Sequence, residues 1–77
     1  MNLSRVILSM GSIVKMFNID KNLNLQQNQQ LIAKKFDIVD RKFELVHKQF
    51  GVSVDHIDVI KENDHLEITF PENIPQY

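Results

Sequence analysis

LQQNQQLIAKKFDIVDRKFELVHKQF, residues 25–50, carries the most regular apolar pattern in the chain. Leu25, Gln29, Ile32, Phe36, Val39, Phe43, Val46 and Phe50 follow one another in alternating steps of four and three. Such steps are those of a heptad seam, about three and a half repeats long. A second row, Leu31, Ile38 and Leu45, recurs every seven residues and would lie about 100° around the same helix. Asn24, followed three positions later by Gln27, has the form of a capping box and marks the start. Gly51 supplies a stop. The spacing therefore predicts one long amphipathic helix over about 24–50, with Asp37/Arg41 and Glu44/Lys48 as i,i+4 pairs on its solvated face.

Upstream, Leu3, Val6, Ile7, Met10, Ile13, Val14 and Phe17 recur at spacings of three and four, which predicts a first helix over about 2–17 with Asn2 as N-cap. Between the two, eight of the thirteen residues Asn18–Gln30 are Asn or Gln. Asn18–Asn24 reads as the turn that ends the first helix.

Downstream of Gly51 the period changes to two. Ile57, Val59 and Lys61 alternate with Asp58, Ile60 and Glu62, and Leu66, Ile68 and Phe70 alternate with Glu67 and Thr69. Asn63-Asp64 suits a two-residue turn because both residue types tolerate positive φ. The expectation is an antiparallel β-hairpin, about 56–61 and 65–70, in which every apolar side chain except Ile60 shares one face. Pro71 ends the last strand, leaving 71–77 as an extended tail. The expected fold class is α+β, in the order ααββ, with 1–77 forming a single small domain.

The chain is 77 residues long, without cysteine, with 43% hydrophobic residues and a net charge of −1. A domain this small buries only roughly 60% of the surface its unfolded form exposes. No thiol nucleophile, disulfide or cysteine-based zinc site is available to it. The small net charge conceals an asymmetry: residues 1–51 hold eight Lys/Arg against four acids (+4), and residues 52–77 hold Lys61 against six acids (−5). The apolar run Val6–Val14 is closed by Lys15 and followed by no small-residue cleavage site, so it does not read as a signal peptide. It also falls far short of the roughly 20 residues that span a bilayer. A cytoplasmic, non-membrane protein is expected.

Catalytic chemistry finds little support in the residue types. His47, His56 and His65 fall nine residues apart in different elements, which is not metal-ligand spacing. No glycine-rich loop and no nucleophile elbow is present. Neither cofactor nor metal is expected, and the chain reads as a non-enzyme. The positive signal is surplus apolar surface: Phe36, Phe43 and Phe50 beside Leu31, Ile38 and Leu45, with a hairpin edge at Leu66 and Ile68. These predict a protein–protein interaction module of a regulatory, inhibitory or adaptor kind, able to form a homodimer by helix packing or strand addition. The alternative is a nucleic-acid-binding accessory protein using Lys34, Lys35, Arg41, Lys42 and Lys48, although Asp37, Asp40 and Glu44 are interleaved among them.

Overall fold

The computed structural model describes residues 2–71. Its first element is a β-hairpin in place of a helix. Strand β1 (Leu3–Met10) pairs antiparallel with β2 (Ile13–Asp20) through eight residue pairs, from Leu3 opposite Asp20 to Met10 opposite Ile13. Gly11 opens the two-residue loop at φ +61°, a conformation that glycine adopts without a Cβ penalty. Val6, Leu8 and Met10 then point to one face and Leu3, Ile7 and Ser9 to the other, as strand geometry dictates. Apolar residues on both faces of β1 and β2 generated the spacing of three and four that suggested a helix. Leu8, which has no place in that helical stripe, is fully buried.

The only α-helix among the described residues, α1, spans Leu25–Lys35 and not 24–50. Its start is as expected: Asn24 accepts from the Gln27 backbone N–H at 2.7 Å, and the Gln27 side chain accepts from the Asn24 backbone N–H at 2.9 Å. Its end comes much earlier than Gly51. Phe36 is the C-cap, and Asp37 takes φ +56° immediately after it. The Asp37 N–H donates to Lys34 O (3.4 Å) and the Ile38 N–H to Ala33 O (2.8 Å), which is the paired bonding of a Schellman motif. Asp40 also sits at φ +56°, so the chain is turned out of helical space twice within four residues. Aspartate is among the few residues that visit this region, and here it does what glycine more often does.

The rest of the expected helix becomes strand and turn. Strand β3 (Glu44–His47) is joined by a tight turn to the two-residue β4 (Val52–Ser53), with Gly51 at φ +68° in that turn. A 3-10 helix at Ile57–Val59 occupies the first half of the expected C-terminal hairpin, and β5 (His65–Thr69) the second. Asn63 has the anticipated positive φ (+70°), and Asp64 N–H closes a turn onto Lys61 O. That turn does not join two paired strands. Instead β5 runs into the middle of the sheet, parallel to β1 (Leu8 opposite Leu66) and antiparallel to β3 (Leu45 opposite Ile68). Ile60, the one apolar residue left off the shared face of the expected hairpin, is fully buried, and Val59 is exposed.

The result is one mixed sheet in the order β2-β1-β5-β3-β4 with α1 on one face. The order ααββ is therefore corrected to ββαβββ. The core lies between sheet and helix: Val6 and Leu8 from β1, Ile19 from β2, Leu45 from β3, Leu66 and Ile68 from β5, Ile32 and Phe36 from α1, and Val54, Ile57 and Ile60 from the closing loop. Each fully buried leucine or isoleucine contributes about 2 kcal/mol. Of the expected tail, residues 72–77 lie outside the described residues. No helix among the described residues is long and apolar enough to cross a membrane.

Because Asp37 holds a left-handed conformation at a helix C-terminus, where its charge also opposes the helix dipole, Asp37→Gly should stabilise the protein by about 1 kcal/mol. Urea denaturation measures this directly. An unchanged or lower midpoint would mean that Asp37 makes compensating interactions in the folded state.

Candidate interaction surface

Most of the side chains expected to form an interface are part of the core. Phe36, Leu45, Leu66 and Ile68 are buried, and Ile38 and Phe43 pack against them half-buried. Phe43 also meets Phe70 edge-on, with ring centroids 6.4 Å apart. Only Leu31 (41% exposed) and Phe50 (68%) lie at the surface. The expected edge at Leu66 and Ile68 does not exist, because β5 has a neighbour on each side. The five cations of the alternative reading do not share a helix either. Lys34 and Lys35 end α1, Arg41 and Lys42 lie in the loop after it, and Lys48 opens the β3–β4 turn. Arg41 lies 3.8 Å over the Phe70 ring.

Among the described residues, seven of the nine exposed large apolar side chains lie at the two margins of the sheet, and the other two, Leu31 and Val39, lie on α1 and in the loop after it. Leu3, Ile13, Val14 and Met16 belong to the β1–β2 hairpin, and Phe50, Val52 and Val59 surround β4. The second group walls an open cavity of about 540 Å³ whose polar lining includes His47, Asp55 and Asp64. His47 is held at both ring nitrogens: Nε2 lies 3.2 Å from Val59 O, and Nδ1 lies 3.7 Å from Asp64 Oδ2. Another open cavity, of about 590 Å³, lies between α1 and the loop that follows it, lined by Leu25, Gln29, Ala33, Arg41 and Phe43. Among the described residues, no three His, Asp or Glu side chains come together as metal ligands.

The β2 margin has the more definite geometry, because the direction of its backbone groups is fixed by three contacts. Lys21 N–H donates to Asn2 O, across to β1. In an antiparallel ladder, alternate residues turn their N–H and C=O to opposite sides. Lys21, Ile19, Phe17 and Lys15 therefore bond to β1, while Asp20, Asn18, Met16 and Val14 face outward. At Asp20 the outward groups are met by a side chain from α1. Asn28 Oδ1 accepts from Asp20 N–H at 2.8 Å, and Asn28 Nδ2 donates to Asp20 O at 3.0 Å. Nδ2 also donates to Asn24 O at 3.0 Å, so this fully buried amide joins strand, loop and helix. Farther along, Lys15 Nζ donates to Lys35 O at 2.8 Å and stands 5.2 Å from the centre of the Phe36 ring.

Neither Asn28 nor the β2 edge was singled out from the sequence, where Asn28 sits within a run of Asn and Gln and Lys15 marks the end of an apolar stretch. A polar residue at a position from which a short helix must face its sheet was the available signal, but it depended on knowing where the helix ends. No protein-family model matches the chain, and no curated protein matches its sequence.

Replacing Asn28 by leucine removes both partners of the Asp20 backbone and leaves an apolar side chain against them. Asn28→Leu should lower stability by about 2 kcal/mol, the cost of unpaired groups in a mostly buried site. It should also accelerate amide exchange at Asp20 more than at Val6 or Leu8. Unaltered exchange at Asp20 would contradict the role given to the amide.

Proposed function

We propose that this protein is a non-catalytic interaction module that binds another protein, acting in the cytoplasm as an adaptor, inhibitor or regulator. The observation that carries this reading is the concentration of exposed apolar side chains at both margins of the sheet, apart from the eleven apolar residues, among those described, that are buried in the core. Leu3, Ile13, Val14 and Met16 on one side are between 46% and 59% exposed. Contiguous apolar surface on a small protein marks a binding face more often than scattered apolar residues do. A cytoplasmic setting suits a chain that uses no disulfide for stability.

Binding by the long helical seam has no place in this fold, since Phe36, Phe43 and Leu45 belong to the core or pack against it. A dedicated nucleic-acid surface is also less favoured. Such a surface gathers cations on an acid-poor face, whereas Lys48 follows a strand that begins with Glu44, and Arg41 is stacked on Phe70.

The reading is tested by affinity capture from a lysate with three immobilised proteins: wild type, Val14→Lys/Met16→Lys, and Phe50→Lys/Val52→Lys. At least one protein should survive a wash in about 0.5 M salt, where charge-driven contacts are screened, and be lost from one of the two folded variants. Equal retention by all three, or recovery of nucleic acid alone, would count against it.

A further inference from the structure

We infer that the free edge of β2 between Val14 and Asn18 is a docking site for an extended, acidic segment of another polypeptide, added to the sheet as a sixth strand. This inference names the site and partner chemistry of the interaction module proposed above and rests on that reading.

The argument begins with hydrogen bonds that are not made. The outward N–H and C=O groups of β2 belong to Val14, Met16, Asn18 and Asp20, and those of Asp20 are filled by the Asn28 amide. Among the described residues, no other group meets the outward N–H of Val14, Met16 or Asn18. Three consecutive outward residues present the length of edge that a short added strand uses, and main-chain bonds give such complexes their affinity. The opposite margin is different in kind, because β4 is only two residues long.

Side chains then define the partner. On the sheet face away from α1, the added strand would run beside Val14, Met16 and Asn18, backed on β1 by Ser9, Ile7 and Arg5, so apolar side chains fit beside Val14 and Met16. On the face toward α1 it would run beside Lys15 and Phe17. The end of α1 lies against Lys15, as the bond to Lys35 O shows, and brings Lys34 and Lys35 to the same margin. From Asn22 to Phe36 the chain holds no acid at all. Three ammonium groups outweigh the single carboxylate of Asp37 just past the helix end together with the partial negative charge of about half a unit at a helix C-terminus. Acidic side chains are therefore complementary on this face, and a strand alternating apolar and acidic residues matches both.

A second copy of this chain matches less well. Antiparallel self-pairing centred on Met16 would use all the free backbone groups, but it would set Lys15, Lys34 and Lys35 of each copy toward those of the other, and like charges across an interface oppose association.

The test uses the intact protein, ¹⁵N-labelled, titrated with a synthetic heptapeptide Val-Asp-Val-Asp-Val-Asp-Val blocked at both ends, and with its Val-Lys counterpart. The acidic peptide should bind, with amide shifts largest at Val14, Met16 and Asn18, and weaken at least about tenfold between 50 and 500 mM salt, since exposed charge pairing is screened. Met16→Pro removes one outward N–H without touching a bond to β1, a position where an edge strand tolerates proline. It should abolish binding while the remaining spectrum is preserved. Lys34→Glu/Lys35→Glu provides a variant outside the strand, and should lose the acidic peptide and gain the lysine peptide.

Equal binding of both peptides, shifts centred on Phe50 and Val52, absence of binding at millimolar peptide, or a wild-type dimer that Met16→Pro converts to monomer would each overturn the inference. If the peptides fail while affinity capture still yields a partner lost on mutation of either margin, the interaction module stands and only this site falls. If capture fails as well, both fall.

Discussion

The side-chain amide of Asn28 is the interaction on which the arrangement of this fold depends. A primary amide carries one acceptor and one donor group in the geometry of a peptide unit. Placed opposite Asp20, it imitates a residue of an adjoining strand and closes the last rung of β2. Its second donor bond, to Asn24 O, fixes the same side chain to the first turn of α1. The helix is thus attached to the edge of the sheet through a buried polar contact, whereas Ile32 and Phe36 attach it through apolar ones. Apolar packing tolerates sliding more readily than a set of directed bonds does, so the amide sets the position of the helix along β2. Lys15, bonded to Lys35 O, fixes the other end.

A second polar tether organises the other loop. Lys21 follows β2 directly, and its Nζ donates to the carbonyls of Ile57 and Ile60 at the end of the 3-10 helix. This ties the 57–60 segment to the end of β2, with Ile57 and Ile60 buried in the core. The chain then has only Lys61–Asp64 in which to turn before β5 enters between β1 and β3. Asn63 at positive φ makes that turn, and Asn63 N–H and Ile7 N–H join it to β1. The central strand of the sheet, last of the five in sequence, is held at its entry by these bonds to β1 on one side and by Lys48 N–H to His65 O on the other.

Much of this was written in the sequence, but in signals that compete. The capping box at Asn24 and Gln27 is a local device, and it identified the helix start because nothing distant could alter it. The seam from Leu25 to Phe50 misled, since a run of core residues drawn from α1, a loop and β3 happened to keep steps of three and four. Asp37 and Asp40, two non-glycine residues at positive φ, broke the helix with no proline or glycine to announce it. Gly11-Ser12 between Val6-Ile7-Leu8 and Ile13-Val14 was a legible hairpin, obscured by apolar residues on both faces of each strand. The strand expected at about 65–70 is present as His65–Thr69, though not as half of a hairpin, because its alternation is strict and it is flanked by Asn63 and Pro71. Its partners were not legible, since parallel pairing with β1 spans almost the whole chain and leaves no local mark. The site fared in the same way: an edge exists only relative to strand order, which no single segment encodes.

The two margins of the sheet show why an edge with free backbone groups matters. Proteins protect such edges by shortening the strand, by adding charge or proline, or by covering the edge. At β4 the first device is used fully, with two residues in the strand and a turn immediately before it. At β2 the strand keeps eight residues, and protection is local: Asn28 covers Asp20, while Lys15, the one charge within Ile13–Ile19, is directed back to the helix terminus and the Phe36 ring. The middle of β2 therefore keeps its outward groups in a setting that repels a second copy by charge yet leaves room for a complementary strand. An edge defended against itself and open to an acidic partner has a specificity that follows from the same lysines.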